Sequence, residues 1–258
     1  VEMKFIQDFT GLADFDSLKI FWARWTSADT VDLSYNTALE KFDLADSGLK
    51  YLTLGNHPNL ELIDISVNLF SSIDLSPYPK LRSIYCSYSS LTSLDFSNNP
   101  LIENIKASYC QLTNINLSNC TRLEELEIDH NQLNYLNTED CDSLRRLFCH
   151  YNNITYIDVS HCSNLTEFHA YKNQLTYLNL QNGNNTVMVG LRAEDNPNLT
   201  CVNVDNVAYS NTNWTGFAGF DSQVFFSTTC TPYAVDEEEG QNKTLLRIVD
   251  VLGKESKP

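Results

Sequence analysis

Apolar side chains return along this chain at a fixed interval of 21 residues. Between 102 and 180 the pattern reads Ile102-x-x-Ile105-x-Ala107-x-x-Cys110-x-Leu112, then Leu123-x-x-Leu126-x-Ile128-x-x-Asn131-x-Leu133, with further copies from Leu144 and Leu165. With the first apolar residue of each unit as position 0, the starts are Leu18, Leu39, Leu60, Leu81, Ile102, Leu123, Leu144, Leu165 and Met188. The ninth comes two residues late because 181–186 carries an insertion. Position +3, from Phe21 to Leu191, is apolar in every unit, and so is +13, from Val31 to Leu178, with Val202 one residue late in the ninth. Self-similarity of this kind marks a solenoid, whose units bury their apolar faces only against neighbours.

Each unit holds two short runs of alternating character, near +2 to +6 and +12 to +16, as in "TNINLS" around Ile115. Alternation with period two is the strand signature. The half of the unit away from the first run has no 3.6-residue period. The pattern therefore predicts a mainly β solenoid of about nine coils, each with two short parallel strands and little helix. Stacked at the strand spacing, nine coils extend roughly 40–45 Å. The turn closing each coil supplies the crossover that parallel strands require.

Four segments follow. Residues 1–17 read as an N-terminal cap in which Phe5, Ile6, Phe9 and Leu12 cover the open edge of the first coil. Residues 18–204 are the solenoid. Residues 205–231 form an aromatic-rich C-terminal cap with Tyr209, Trp214, Phe217, Phe220, Phe225 and Phe226. Residues 232–258 are an acidic linker (PYAVDEEEGQNK) followed by a short apolar tail.

The register also sorts the cysteines. Cys86 and Cys149 occupy the third apolar position, Cys110 the Asn/Cys position, and Cys120, Cys141 and Cys162 recur every 21 residues in the closing turn. All six stand where the unit wants a small inward side chain, so they read as buried free thiols. Cys201 and Cys230 lie outside that scheme and are expected to form a disulfide that pins the cap to the last coil.

The 21-residue unit resembles the bacterial leucine-rich repeats with a consensus near L-x-x-L-x-C/A-x-x-N-x-L-x-x-L-D-L-S-x-C/N-x-x. "LFCHYNNITYIDVSHCSN" (147–164) carries nearly all of it, and the likeness covers 18 to about 204. The segment "LTCVNVDNVAYSNTNW" looks like the C-terminal cap of secreted leucine-rich repeat proteins from Bacteroidetes-type bacteria, and "LLRIVDVLGKESKP" (245–258) is similar to the opening of a type IX secretion sorting domain. Repeat 1 departs from the pattern with Trp22, Arg24, Trp25 and Thr26. The resemblance implies a right-handed leucine-rich repeat solenoid, an extracellular or cell-surface location and a binding role without catalytic residues.

The charge of -16, from 17 basic and 33 acidic residues, opposes nucleic acid and anionic membrane surfaces and leaves basic proteins as partners. No run of 18 apolar residues is present to span a bilayer. Binding chemistry falls to the outward columns of the first strand, on what is expected to be a concave face. Coils 4 to 8 place Tyr85, Tyr88, Tyr109, His130, Phe148, His150, Tyr151, His169 and Tyr171 there, flanked by Asp43, Asp46, Asp64, Glu127 and Asp129. Exposed aromatics with polar tips compose protein hot spots and sugar platforms alike. A protein ligand is the first reading, with carbohydrate binding and a structural spacer or adhesin role as rivals, and a monomer is expected.

His130 and His150 with Asp129 are the one conceivable metal grouping, but they lie along a diagonal, so no metal centre and no cofactor are expected. His57 and His161 are expected in solvent-facing turns. The outward +14 column (Asp32, Asp74, Asp95, Asn116, Asn137, Asp158, Asn179) reads as a hydrogen-bonded ladder without ions, and Tyr135, Tyr156 and Tyr177 as a surface stripe. No G-x-S-x-G, H-E-x-x-H, C-x-x-C or phosphate-binding glycine loop occurs. Alternation separates Cys149 from His150, so no enzyme activity is expected.

Overall fold

A computed structural model describes residues 6–214 and 219–231. Nine three-residue strands, from Ile20–Trp22 to Gly190–Arg192, join into one parallel sheet. Its register is that of the repeat: Glu125, Leu126 and Glu127 pair with Arg146, Leu147 and Phe148. Every +3 side chain thus stacks on the next, and Phe42, Ile63, Ile84, Ile105, Leu126, Leu147 and Phe168 are fully buried. Among the described residues the one α-helix is Val207–Asn213, in the C-terminal cap.

The second side is less regular than the pattern predicts. Seven coils contribute a second strand, in three separate pieces, and coils 3 and 6 do not. Both breaks have causes in single columns. Position +18, Asn in coils 1 and 4 and Cys in coils 5 to 7, is His57 in coil 2 and Tyr78 in coil 3. Their rings stack at 6.0 Å, and the Tyr78 hydroxyl donates to the Gly55 carbonyl at 3.2 Å, where the second-side pairing stops after coil 2. In coil 6 the buried +15 residue is Thr138, where the other coils have Leu, Phe or Val. Its hydroxyl donates to the Asp158 carbonyl at 2.6 Å, taking the acceptor that a +15 amide uses between coils 7 and 8 (Val159 to Asn179).

His57 corrects a further expectation, since it is completely buried. Its Nε2 accepts from the Gly55 amide at 3.1 Å, and burial holds its pKa below the usual histidine value. The unfolded chain therefore takes up this proton first. The stability linked to His57 is complete above about pH 6.5 and is lost as pH falls below it. Thermal melts between pH 7 and pH 5 should show a falling Tm whose slope His57→Asn reduces but does not abolish, since burial also lowers the pKa of His150 and His169. Asparagine is tolerated because it already fills this column as Asn36 and Asn99.

Inward polar residues complete the core. In coils 3, 6, 7, 8 and 9 the +8 residue is a buried asparagine: Asn68, Asn131, Asn152, Asn173 and Asn196. Each accepts from an amide of the preceding coil, as Asn131 does from Leu112 at 2.9 Å, and donates to carbonyls of its own and the preceding coil, Ile128 and Ala107. Cys86, Cys110, Cys120, Cys141, Cys149 and Cys162 are free and buried. The +14 column is a hydrogen-bonded ladder: Asn116 donates to Asp95 at 3.0 Å and Asn179 to Asp158 at 3.2 Å.

The ends are closed by different means. At the N-terminus Phe9 packs edge-on to Phe21 at 5.6 Å, and Asn36 donates to the Leu12 and Phe15 carbonyls, which mimic a preceding coil. Ile6 is exposed, and Phe5 lies outside the described residues. At the other end Trp214 is buried against Phe220 and Phe226, whereas Phe225 points outward, and Phe217 is outside the described residues. Cys201 and Cys230 form a disulfide across 29 residues. Replacing both by serine should cost about 2–4 kcal/mol in chemical denaturation, because the loop's closure entropy is restored to the unfolded chain. The linker and tail, 232–258, also lie outside the described residues.

Candidate functional site: an aromatic ladder on the nine-stranded sheet

The outer face of the long sheet owes its character to a backbone feature that recurs once per coil. Position +7 is in the left-handed region in all nine coils, at Trp25, Asp46, Val67, Tyr88, Tyr109, His130, Tyr151, Lys172 and Asp195, with φ of 53–57°. A non-glycine residue pays roughly 1–2 kcal/mol for this conformation. An inter-coil hydrogen bond offsets it: the Tyr109, His130 and Tyr151 amides donate to the Asp129, His150 and Tyr171 carbonyls at 3.0, 3.0 and 3.1 Å. The twist interrupts strand alternation. Side chains at +6 and +7 both face outward, and +8 turns back into the core.

On this scaffold the +7 rings form a stack. Ring centroids are 4.6 Å apart for Tyr88–Tyr109, 4.0 Å for Tyr109–His130 and 4.1 Å for His130–Tyr151, with interplanar angles of 7°, 12° and 20°. Lys172 ends the row, with its ammonium 4.5 Å from the Tyr151 ring centre and 2.7 Å from the Tyr151 hydroxyl. Tyr88, Tyr109 and Tyr151 remain 55%, 43% and 37% exposed despite the stacking. They are therefore a surface feature and not core.

A second row runs beside the first. His150 stacks on Tyr171 at 4.4 Å, and Arg192 lies 4.1 Å from the Tyr171 ring centre. Phe148 and His169 meet at 4.8 Å, and His150 joins the rows through edge contacts with His130 and Tyr151. Eight of the nine candidate residues thus form one connected patch across coils 4 to 8. Tyr85 stands between Asp64 and Lys106 in register, and among the described residues no ring contact ties it to the others. Burial lowers the pKa of His150 and of His169, so both rings are neutral at pH 7.

Four of the five flanking carboxylates already have partners within the protein. Arg24 bridges Asp43 at 2.5 Å and Asp64 at 3.0 Å. Lys106 holds Glu127 at 2.7 Å, and Asp129 accepts from Ser108. Asp46 alone of the five is an exposed residue. The odd residues of repeat 1 are explained in part: Arg24 serves this acidic pair, while Trp22 is 72% exposed. Cys149 is buried, and burial pushes its thiol up, so it has no route to the outward His150.

No protein-family model matches the chain, and no curated protein matches it. Solved structures do match. The functional domain of InlJ from Listeria monocytogenes, which includes a cysteine ladder, is 21% identical with a TM-score of 0.50 over 77% of this chain and 57% of that one. The leucine-rich repeat protein LIC12759 of Leptospira interrogans is 16% identical with a TM-score of 0.53, covering 78% and 64%. The leucine-rich repeat domain of APL1B is 17% identical with a TM-score of 0.51, covering 69% and 65%. The chain spans less than two thirds of each of these structures. At such identities the likeness establishes the leucine-rich repeat solenoid fold and nothing about a ligand.

Proposed function

We propose that this protein is a non-catalytic binding module that takes a protein partner on the outer face of its nine-stranded sheet. The observation that carries the reading is the exposed ladder Tyr88–Tyr109–His130–Tyr151, whose rings are aligned by neighbouring coils before any partner arrives. Rigid aromatic area of this kind loses little side-chain entropy on binding, and Tyr is enriched among interface hot spots. Lys172 at the end of the first row supplies an ammonium over the Tyr151 ring, which suits a partner with carbonyl groups at its rim, whereas Arg192 at the end of the second is already paired with Glu194. The flanking carboxylates are largely committed to internal cations, so they contribute less to partner choice than their number suggests.

Carbohydrate is the rival ligand, since aromatic faces also stack on sugar rings. A glycan array and a panel of surface proteins, probed in parallel with the same chain, separate the two. Saturable protein binding without glycan signal supports the proposal, and the reverse refutes it. We further propose that the protein works outside the cell, as a bacterial export product. The Cys201–Cys230 disulfide fits an oxidising compartment, and the similarity of 245–258 to a type IX sorting segment agrees with it.

A further inference from the structure

We propose that Asp129, His130 and His150 form a binding site for a transition-metal dication of the zinc class, in the middle of the aromatic face. The proposal does not rest on the protein-binding reading. One ligand atom from each of the three residues lies within 4.8 Å of the other two. Asp129 Oδ2 is 2.9 Å from His130 Nδ1 and 3.7 Å from His150 Nε2. Ligand atoms about 2.1 Å from a tetrahedral ion stand about 3.4 Å apart, a value between these two separations. The third separation, between the two imidazole nitrogens, is within 4.8 Å.

The diagonal spacing that argues against a metal in the sequence is undone by the left-handed turn. His130 at +7 projects to the same side as Asp129 at +6, and the parallel register lays His150 beside Asp129 from the next coil. The ligands are also held in place. Ser108 donates to Asp129 Oδ1 at 2.5 Å, which leaves Oδ2 directed at the two rings. Tyr109 and Tyr151 clamp His130 from both faces at 4.0 and 4.1 Å, and Tyr171 stacks on His150. Support of this kind raises metal affinity by orienting the ligands. The three side chains are 12%, 26% and 14% exposed, so they are shielded but reachable from solvent. Two imidazoles and one carboxylate suit Zn²⁺, and the imidazoles exclude Mg²⁺ and Ca²⁺, which prefer all-oxygen sets.

The test is titration of the whole folded chain with Zn²⁺ alone at pH 7.4, followed by calorimetry. One ion per chain is expected. Asp129→Asn, His130→Gln and His150→Gln should each weaken binding by at least about tenfold, since even an outer-shell partner commonly accounts for that much. His161→Gln, in an exposed turn, should leave it unchanged. On the wild-type chain, ring-nitrogen NMR should show Zn²⁺ shifting His130 Nδ1 and His150 Nε2, a readout that needs no variant to fold. Absence of saturable binding, binding that survives all three substitutions, or a Co²⁺ form with thiolate charge-transfer bands from the buried cysteines would each overturn the assignment.

Discussion

Replacing Asn152 by alanine is expected to destabilise the solenoid by about 3 kcal/mol, chiefly through one stranded amide. Asn152 Oδ1 accepts from the Leu133 amide at 3.0 Å, and its Nδ2 donates to the Ile128 and Cys149 carbonyls at 3.0 and 3.1 Å. Both carbonyls keep a second donor in the variant, from Asn131 and Asn173. The Leu133 amide does not. A buried donor left without an acceptor costs about 1–3 kcal/mol, and the void left by the amide group adds about 1 kcal/mol. Urea denaturation measures the sum. Hydrogen exchange should localise it, with protection falling in coils 6 to 8 and holding at the far end, because each coil touches only its neighbours. Asn152→Ser should cost less, as coil 2 already uses Ser47, whose hydroxyl accepts from the Thr26 amide and donates to the Ala23 carbonyl.

What sequence could and could not reveal divides along physical lines. The +3 and +13 columns are legible because burial on a repeated lattice demands apolar residues at fixed spacing, and Leu126 or Leu147 has no other way to read. The backbone at +7 is not legible. Left-handed residues are ordinarily signalled by Gly or Asn, whereas this column holds Trp25, Val67 and Tyr109, kept there by hydrogen bonds to the next coil. That one feature decides which side chains share a face, so the nine candidate residues could be named from spacing but their stacking could not. It also brings Asp129 to both His130 and His150, a convergence that their diagonal placement in the repeat argues against.

Other differences come from long-range pairing that no local pattern records. Arg24 reaches Asp64, 40 residues away, and removes it from the available surface charge. His57 and Tyr78 sit in a column of small residues and break the second sheet where their rings meet. Thr138 does the same through one hydroxyl. Its signal was visible as a polar residue in an apolar column, and the signal at 57 and 78 as bulk in a small-residue column.

The second large effect concerns the exposed face. Tyr109 and Tyr151 flank His130 in the ladder, and each offers an exposed ring whose packing partners are other surface rings. Their replacement by alanine removes no core contact but does remove ring stacking on both sides, so each should lower stability by about 1 kcal/mol and leave the chain folded. As interface anchors they should each be worth about 2 kcal/mol, so the Tyr109→Ala, Tyr151→Ala double variant should bind its protein partner about a thousandfold more weakly. The decisive measurement is the Kd of wild-type and double-variant chains for one captured partner, taken at matched folding by circular dichroism. A loss near three orders of magnitude, with the double variant still folded and melting cooperatively at a slightly lower temperature, is the predicted result. Equal affinity for the two chains would contradict the assignment of the binding face to the aromatic ladder.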